Sequence, residues 1–451
     1  MLFRVHVIHV GNMNNKGTQA LLESDVSVIR SVVKTGVVIS VSTTDVEGVK
    51  RLHLPLEVVL PTTVDIPYEV ADLKSKRLGF RRTDVKYKIF AAAFLINVFF
   101  QAVFSMLSVI LVRLGWEGFY RGDLLKQIKN CDLVVSCSDE NFKEGTSQLP
   151  LNIYWIITWW TLLFSRTWEI SMARFLKKPI VLFPNSIGPF RTCLGRFLSR
   201  LSLNCCDYLL IRDAISYRIV DLLGITSPKI LTMDTALVFN LHTSNHQIRP
   251  RNFNHPAVGV CPGIYSHSVS DRKLEKYIDD HAKALDTAIE KHGMNVVFLP
   301  HYVSGFPDDD LRICRQMQSR MKNKERTSIQ HTDDVKDFKS MLDEMDIVIA
   351  SKMHPAVLAV TGYVPTLCIA YDHKQIGFFN ALGMEQYTIN LNDFSSDKLI
   401  CLVGLVWSNR TAIRDHLKNT VPLRQKDVRR AIQRVLTPYL KTRWANRLAE
   451  R

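Results

Sequence analysis

The chain has 451 residues, 47% hydrophobic and 22% charged, so it is too long for one ordinary domain and too apolar to be disordered throughout. Its 58 basic and 43 acidic residues leave a net charge of +15, which points to an anionic partner. The nine cysteines contain no Cys-x-x-Cys pair and no Cys/His array with zinc spacing; this argues against a structural zinc module, and reduced core thiols of a cytoplasmic chain are expected.

Phe3 to Val10 is polar at every second position and runs into a Gly/Asn loop, the pattern of a strand and not of a signal peptide. That loop, Gly11 to Gln19, is predicted to open a helix over 20–33. Asn15 and Gly17 tolerate unusual backbone angles, Thr18 is a plausible cap, and free amides at a helix N-terminus attract an anion. An ordinary tight turn would have the same composition. A second strand is expected at 37–42.

Lys74 to Lys88 then carries seven basic residues and one acid, Asp84, ahead of 24 uncharged residues, Ile89 to Val112. As one helix this segment would be ~36 Å long, enough to cross a bilayer. A single crossing would put two halves of one sheet in different compartments, because the strand pattern resumes at 133. An interfacial or re-entrant helix or hairpin is therefore expected, with its basic flank against anionic headgroups. Burial in the protein or in an oligomer interface is the alternative. Ile153 to Phe164, with three tryptophans, could lie at the same membrane surface or form a core helix. Nucleic acid is not an expected partner, because no aromatic platform, zinc finger or helix-turn-helix pattern accompanies the basic stretches.

Further strands are predicted at 133–136, 180–183, 208–211 and 229–231. A polar loop over 241–255 follows, then strands at 257–261, 296–299, 328–330, 347–350 and 366–370, with helices such as 271–291 and 333–344 between them. The alternation specifies an α/β fold of two doubly wound Rossmann-like domains facing a cleft. The expected domains are 1–248, with the apolar insertion at about 89–112, and 249–420. A basic helical extension over 421–451 is expected to pack through Val428, Ile432, Val435, Leu436 and Tyr439, with Pro438 kinking or dividing it.

Ligands of such folds sit at the carboxyl ends of the strands. After the 133–136 strand come Asp139, Glu140 and Asn141, suited to sugar hydroxyls, or else to capping a helix. Phe183-Pro184-Asn185-Ser186-Ile187-Gly188-Pro189 is a stiff loop. Arg212 ends the 208–211 strand; its fork suits phosphate or carboxylate, though a structural ion pair with Asp213 or Asp234 would use it equally. Lys352 and His354 follow the 347–350 strand at the start of a helix, where the helix end and Lys352 are expected to lower the imidazole pKa and hold it near neutrality for proton transfer. Tyr371 and Lys374 follow the last strand, and His301 follows 296–299. No nucleophile elbow, Walker loop or metal cluster is present in the sequence, so no metal is expected.

In order and spacing these segments resemble the polysaccharide pyruvyl transferase family over roughly 5–385. The resemblance is carried by Asn15-Lys16-Gly17-Thr18-Gln19-Ala20, Ser186-Ile187-Gly188-Pro189, Arg212-Asp213 with Ser216 and Leu223-Gly224, and Asp234-x-Ala236. It continues through Lys352-Met353-His354, Gly362-x-x-Pro365, Tyr371-x-x-Lys374-x-x-Gly377 and Leu382-Gly383. It implies a GT-B-like fold and transfer of a pyruvyl group from phosphoenolpyruvate to two hydroxyls of a sugar, free or lipid-linked, with release of phosphate and no cofactor. Arg212 matches the family's anion-binding arginine, Lys352 stands where the family usually has arginine, and His354 matches its proposed acid. Asn15, Gly17, Thr18, Tyr371 and Lys374 are assigned to the donor, and Asp139, Asn141 and His301 to the acceptor. The glycine-rich turn usual after the third strand is replaced by Ser136-Cys137-Ser138-Asp139. A nucleotide-sugar glycosyltransferase of the same architecture and a non-catalytic membrane-bound carbohydrate-binding protein are the competing readings.

Overall fold

The computed structural model describes residues 2–34, 36–64, 85–116, 118–145, 153–239, 255–263, 271–303 and 309–449. The basic run over 74–84 and most of the 241–255 loop lie outside these residues.

Short runs rich in Val, Ile and Leu form fourteen strands among the described residues. The first sheet contains β1 (Phe3–Val10), β2 (Val37–Thr43), β3 (Val58–Pro61), β4 (Leu133–Ser136), β5 (Asp139–Phe142), β6 (Ile180–Ile187), β7 (Tyr208–Ile211) and β8 (Lys229–Leu231). It is wholly parallel in the order β3-β2-β1-β4-β6-β7-β8, with β5 paired to the far end of β6. The second contains β9 (Ala257–Cys261), β10 (Asn295–Phe298), β11 (Thr327–Ile329), β12 (Ile347–Ala350), β13 (Thr366–Ala370) and β14 (Thr388–Asn390), parallel in the order β11-β10-β9-β12-β13-β14. Both orders reverse direction beside a central strand, at β1/β4 and at β9/β12, where doubly wound sheets open a ligand crevice. Strands β3, β5 and β14 were not expected from the sequence. β5 is the polar run Asp139–Phe142, and β3 and β14 are short, partly buried edge strands.

The helices are α1 (Lys16–Val33), α2 (Val46–Arg51), α3 (Val85–Arg113), α4 (Gly122–Asn130), α5 (Ile153–Phe175), α6 (Cys193–Asn204) and α7 (Ala214–Leu222) in the first half. In the second they are α8 (Asp271–His292), α9 (Asp310–Arg320), α10 (Val335–Asp343), α11 (Met353–Thr361), α12 (His373–Ala381), α13 (Ser396–Ser408) and α14 (Arg410–Ala449). Successive strand residues face opposite ways. Val134, Leu182 and Leu209 pack with Val109, Leu125, Leu163 and Leu203 on one face, while Leu133, Val181 and Leu210 pack with Leu21 and Ile29 on the other.

The C-terminal extension departs from expectation in its bounds. Helix α14 begins at Arg410 and continues through Pro422 and Pro438 as one assigned helix. It packs on the first half, burying Val428, Ile432, Val435 and Leu436, while Gln425 Nε2 donates to the Leu237 carbonyl at 2.8 Å. The apolar insertion is a single helix, α3, and not a hairpin. Val98, Ala102, Val109 and Val112 are buried, and Trp168 of α5 donates through Nε1 to Ser105 Oγ at 2.6 Å. Its stretch Ile96–Arg113, with mean hydropathy 1.8, is long and apolar enough to cross a membrane by length and composition. Six of the nine cysteines are buried, whereas Cys193 and Cys401 lie at the surface, so the expectation of core thiols fails for those two.

Candidate functional site

Helix α1 starts four residues earlier than the sequence pattern indicates. Its cap is Asn15, whose Oδ1 accepts from Gly17 N at 2.9 Å, so Thr18 is freed from the capping role assigned to it and is buried against Gly11. The start of α1 meets the second sheet directly. Lys16 Nζ donates to the His301 carbonyl at 3.1 Å and lies 5.6 Å from the Phe338 ring centroid. Burial lowers the Lys16 pKa to about 8. Gln19 joins the same seam: its Nε2 donates to the Asp333 carbonyl at 2.7 Å and its Oε1 accepts from Val335 N at 3.0 Å.

His354, one residue into α11, packs against Gly17. A Cβ at position 17 would lie 2.2 Å from His354 Nδ1, so only glycine admits the imidazole there. The ring is stacked on His301, with centroids 6.2 Å apart and planes 18° from parallel. Its Nε2 lies 4.0 Å from Asp234 Oδ2. The same carboxylate oxygen accepts from Arg212 Nη1 at 2.6 Å, and Arg212 Nε donates to Ser186 Oγ at 2.8 Å. One oxygen of Asp234 therefore links the guanidinium of the first half to the imidazole of the second. Of the two carboxylates offered as structural partners of Arg212, Asp234 takes the role. Asp213 instead caps α7 and accepts from Ser186 and Ser216.

Arg212 Nη2, His354 Nε2 and both ring nitrogens of His301 are buried without a hydrogen-bond partner among the described residues. Leaving a guanidinium N–H unpaired costs roughly 1–3 kcal/mol or more, and such atoms in a cleft mark where ligand oxygens would complete the bonding. His354 is held below the usual histidine range first by burial and then by Arg212, against the opposing pull of Asp234. Lys352 does not supply the lowering expected of it. It acts on His301, which burial, Lys352 and His354 together hold well below that range.

Lys352 donates from Nζ to Asp310 Oδ1 at 2.7 Å and lies 5.3 Å from the Tyr302 ring centroid. The other oxygen of Asp310 accepts from His301 N at 3.1 Å and Tyr302 N at 2.8 Å. Lys374 pairs with Glu140 across the domain seam and lies 6.0 Å from the centroid of the Tyr371 ring. Lys143 holds the second oxygen of Glu140 at 2.5 Å. Burial would raise the Glu140 pKa, but Lys143, Lys374 and Arg212 outweigh it and keep the carboxyl well below its ordinary value. Gly377 completes the seam, since a Cβ there would lie 2.9 Å from Asp213 Cβ.

The assigned residues thus divide into three groups. Arg212, His354, His301 and Gly17 belong to one buried cluster joined through Asp234 and the His301–His354 stack, with Asp139 close enough to raise the His354 pKa. Lys352, Lys374 and Tyr371 line the same seam, the two lysines through ion pairs. Asn141 is turned away from the acceptor role given to it: its amide donates to the Cys137 carbonyl at 2.9 Å and its N–H donates to Asn185 Oδ1, so it fixes the strand end. Asn15 is likewise occupied as a cap and, through its backbone, as a bridge to Tyr302. Sequence reasoning missed Asp310 and Lys143. The run Asp308-Asp309-Asp310 signals a helix start, and Asp309 does cap α9, but nothing in the spacing shows that Asp310 reaches Lys352. No group of His, Cys, Asp and Glu side chains that could hold a metal occurs among the described residues.

A family model described as polysaccharide pyruvyl transferase matches residues 60–373. The amylovoran biosynthesis protein AmsJ of Erwinia amylovora is 21% identical over 267 residues, 56% of this chain and 64% of that protein; the chain thus spans less than two thirds of that relative. Among solved structures, a putative UDP-N-acetylglucosamine 2-epimerase from Listeria monocytogenes is similar at TM-score 0.61 and 10% identity, covering 98% of each chain. The UDP-GlcNAc 2-epimerase from Neisseria meningitidis is similar at TM-score 0.57 and 10% identity, covering 97% of this chain and 100% of that one. These likenesses show the fold, two Rossmann-like domains of the GT-B type.

Proposed function

Because the chain belongs to the polysaccharide pyruvyl transferase family, we propose that it moves a pyruvyl group from phosphoenolpyruvate to a sugar of a polysaccharide or lipid-linked glycan, at the cytoplasmic face of a membrane. The observation that carries this reading is that Arg212 Nη1 and His354 Nε2 both meet Asp234 Oδ2, at 2.6 and 4.0 Å, while Arg212 Nη2 and His354 Nε2 have no hydrogen-bond partner among the described residues. One cation and one proton carrier are held a single carboxylate apart, as a small anion requiring protonation would need.

In this reading Arg212, Lys352 and Lys374 hold the phosphate and carboxylate of the donor. His354 delivers a proton to the donor's methylene carbon, so that the neighbouring carbon becomes electrophilic and takes the first sugar hydroxyl. The proton of the first hydroxyl returns to His354, the second hydroxyl displaces phosphate, which leaves with that hydroxyl's proton, and the cyclic ketal of pyruvate forms. In the free protein His354 is neutral at pH 7, because burial and Arg212 lower its pKa. A bound dianion would raise it, so proton uptake accompanies donor binding. In the same reading Asp139 would meet an acceptor hydroxyl.

Incubation of the purified protein with phosphoenolpyruvate and a panel of glycans tests the proposal. Acceptor-dependent phosphate release that His354→Gln abolishes supports it. A thermal shift with uridine diphosphate and none with phosphoenolpyruvate would instead favour the glycosyltransferase reading.

A further inference from the structure

Two helices of the first half carry exposed apolar side chains that neither the fold nor the proposed chemistry uses. On α3, Ile96, Phe99, Phe100, Val103, Phe104, Leu107 and Ile110 are exposed, at 60% for Ile96 and 64% for Phe99. Their spacing puts them on one stripe, opposite the buried Val98, Ala102, Val109 and Val112. The stripe continues past the helix through Leu114, Trp116 (64% exposed) and Phe119. A second helix adds to it. On α6, Leu194, Phe197 (61% exposed) and Leu201 stand at positions i, i+3 and i+7. Helix α5 joins the two: Phe164 and Trp168 pack against Val98 and Ala102 of α3, and Ser202 of α6 donates to Thr167 Oγ1 at 2.7 Å. Both helices therefore belong to the layer that covers one face of the first sheet.

Charge selects the occupant. Neither α3 nor α6 contains an Asp or Glu, while Arg113 of α3 and Arg196 and Arg200 of α6 are exposed, with Asp123 the exposed acid beyond the end of the α3 stripe. A soluble monomer seldom shows an apolar surface of this extent without a partner. A second copy of the chain joined by a two-fold axis would bring these like charges face to face, whereas an anionic bilayer would pair with them and accept the phenylalanines and tryptophan at headgroup depth.

We propose that α3 and α6 together form a monotopic docking face for an anionic membrane, with α3 lying along the interface and not crossing it. The buried face of α3 keeps the helix bound to the protein: Ser105 accepts from Trp168 at 2.6 Å and Ser108 Oγ donates to the Tyr120 carbonyl at 2.5 Å. The proposal rests on the membrane part of the proposed function and on none of its chemistry.

The test is sedimentation of the full chain with vesicles of phosphatidylcholine alone and of phosphatidylcholine with phosphatidylglycerol, with light scattering to give the mass in solution. The variants are Phe99→Ser/Phe100→Ser on α3, Phe197→Ser/Leu201→Ser on α6, and Leu222→Ser (87% exposed, on α7) as control. Binding to the anionic vesicles is expected to weaken as salt rises and to fall about tenfold or more in each double variant, since each removes exposed aromatic area. The control should bind as the parent does. Failure of the parent to pellet with anionic vesicles, or unchanged binding by both double variants, overturns the proposal. A dimer that either double variant converts to monomer also overturns it, and assigns the face to a second copy. Pelleting is read without turnover, so absent phosphate release leaves this result standing and absent pelleting leaves the chemistry standing.

Discussion

Gly17→Ala separates the catalytic proposal from simple stability. Position 17 lies in the first turn of α1 with no left-handed backbone requirement, so alanine suits its conformation and should favour the helix by up to about 1 kcal/mol. The obstacle is across the domain seam. A methyl carbon would sit 2.2 Å from His354 Nδ1, 2.5 Å from Cγ and 2.9 Å from Cε1, and must reach about 3.4 Å for ordinary contact. The imidazole therefore has to retreat by about 1.2 Å, a difference taken from those two distances. Its retreat is limited by the stacked His301 ring, which is itself against Phe338. A displacement near 1 Å at a reacting group costs roughly 10²-fold in rate. The expected outcome is a loss of about 100-fold in kcat for phosphate release from phosphoenolpyruvate, with a urea midpoint close to the parent's. Gly404→Ala on α13, where a Cβ meets nothing within 4 Å, should leave kcat unchanged. If Gly17→Ala keeps kcat within threefold, His354 is not the proton carrier. If it unfolds the chain, the seam is a structural contact before it is a catalytic one.

Arg212→Lys keeps a charge beside Asp234 but loses the planar fork that serves Asp234 and Ser186 and leaves Nη2 free; KM for phosphoenolpyruvate should rise about 10- to 100-fold with a smaller change in kcat, read in initial-rate assays. If His354 must be protonated, kcat/KM should fall with rising pH through the lowered pKa of the free protein, and the limb in kcat should lie higher because donor anions raise that pKa; a kcat limb at or below that of kcat/KM would refute it. Glu169, buried on α5, has its pKa raised by burial to about 7 from 4.5. Between those values the folded chain keeps a proton that the unfolded chain has lost, so stability should fall by about 3 kcal/mol as pH rises from 4.5 to 7 and stay level above. Glu169→Gln should abolish that fall, as urea titrations at pH 5 and pH 8 would show; equal pH dependence in parent and variant would refute the assignment.

Much of the architecture was legible because parallel strands are buried on both faces and read as continuous Val/Ile/Leu runs. Ile347–Ala350 and Thr366–Ala370 are fully buried and match their predicted bounds. The site was legible where a strand end is followed at once by an unusual residue, as with Arg212 and His354. It was obscure where a side chain's partner lies far away in sequence. Lys374 and Glu140 are 234 residues apart and Lys16 and His301 are 285 apart; no local pattern encodes such pairs. Asn141 shows the opposite failure, since an amide in a strand-end turn looks available until the Cys137 carbonyl claims it. The second apolar face, on α6, went unread because Leu194, Phe197 and Leu201 are the usual spacing of a core stripe, and only the coordinates place them outward.

Lys352, where the family resemblance implied arginine, has its partner in Asp310. Asp310 has two carboxylate oxygens to offer. Its Oδ2 accepts from the backbone N–H groups of His301 and Tyr302, which shapes the loop after β10, and its Oδ1 accepts from Lys352 Nζ at 2.7 Å. A guanidinium fork is rewarded when it meets both oxygens of a carboxylate; an ammonium needs only one. The stem is confined as well, because a Cβ at Gly263 would lie 2.5 Å from Lys352 Cγ and 2.7 Å from its Cε. Lysine and the Asp310 loop are therefore one unit, and in the proposed reaction bidentate recognition of the donor would fall to Arg212, whose Nη2 has no hydrogen-bond partner among the described residues.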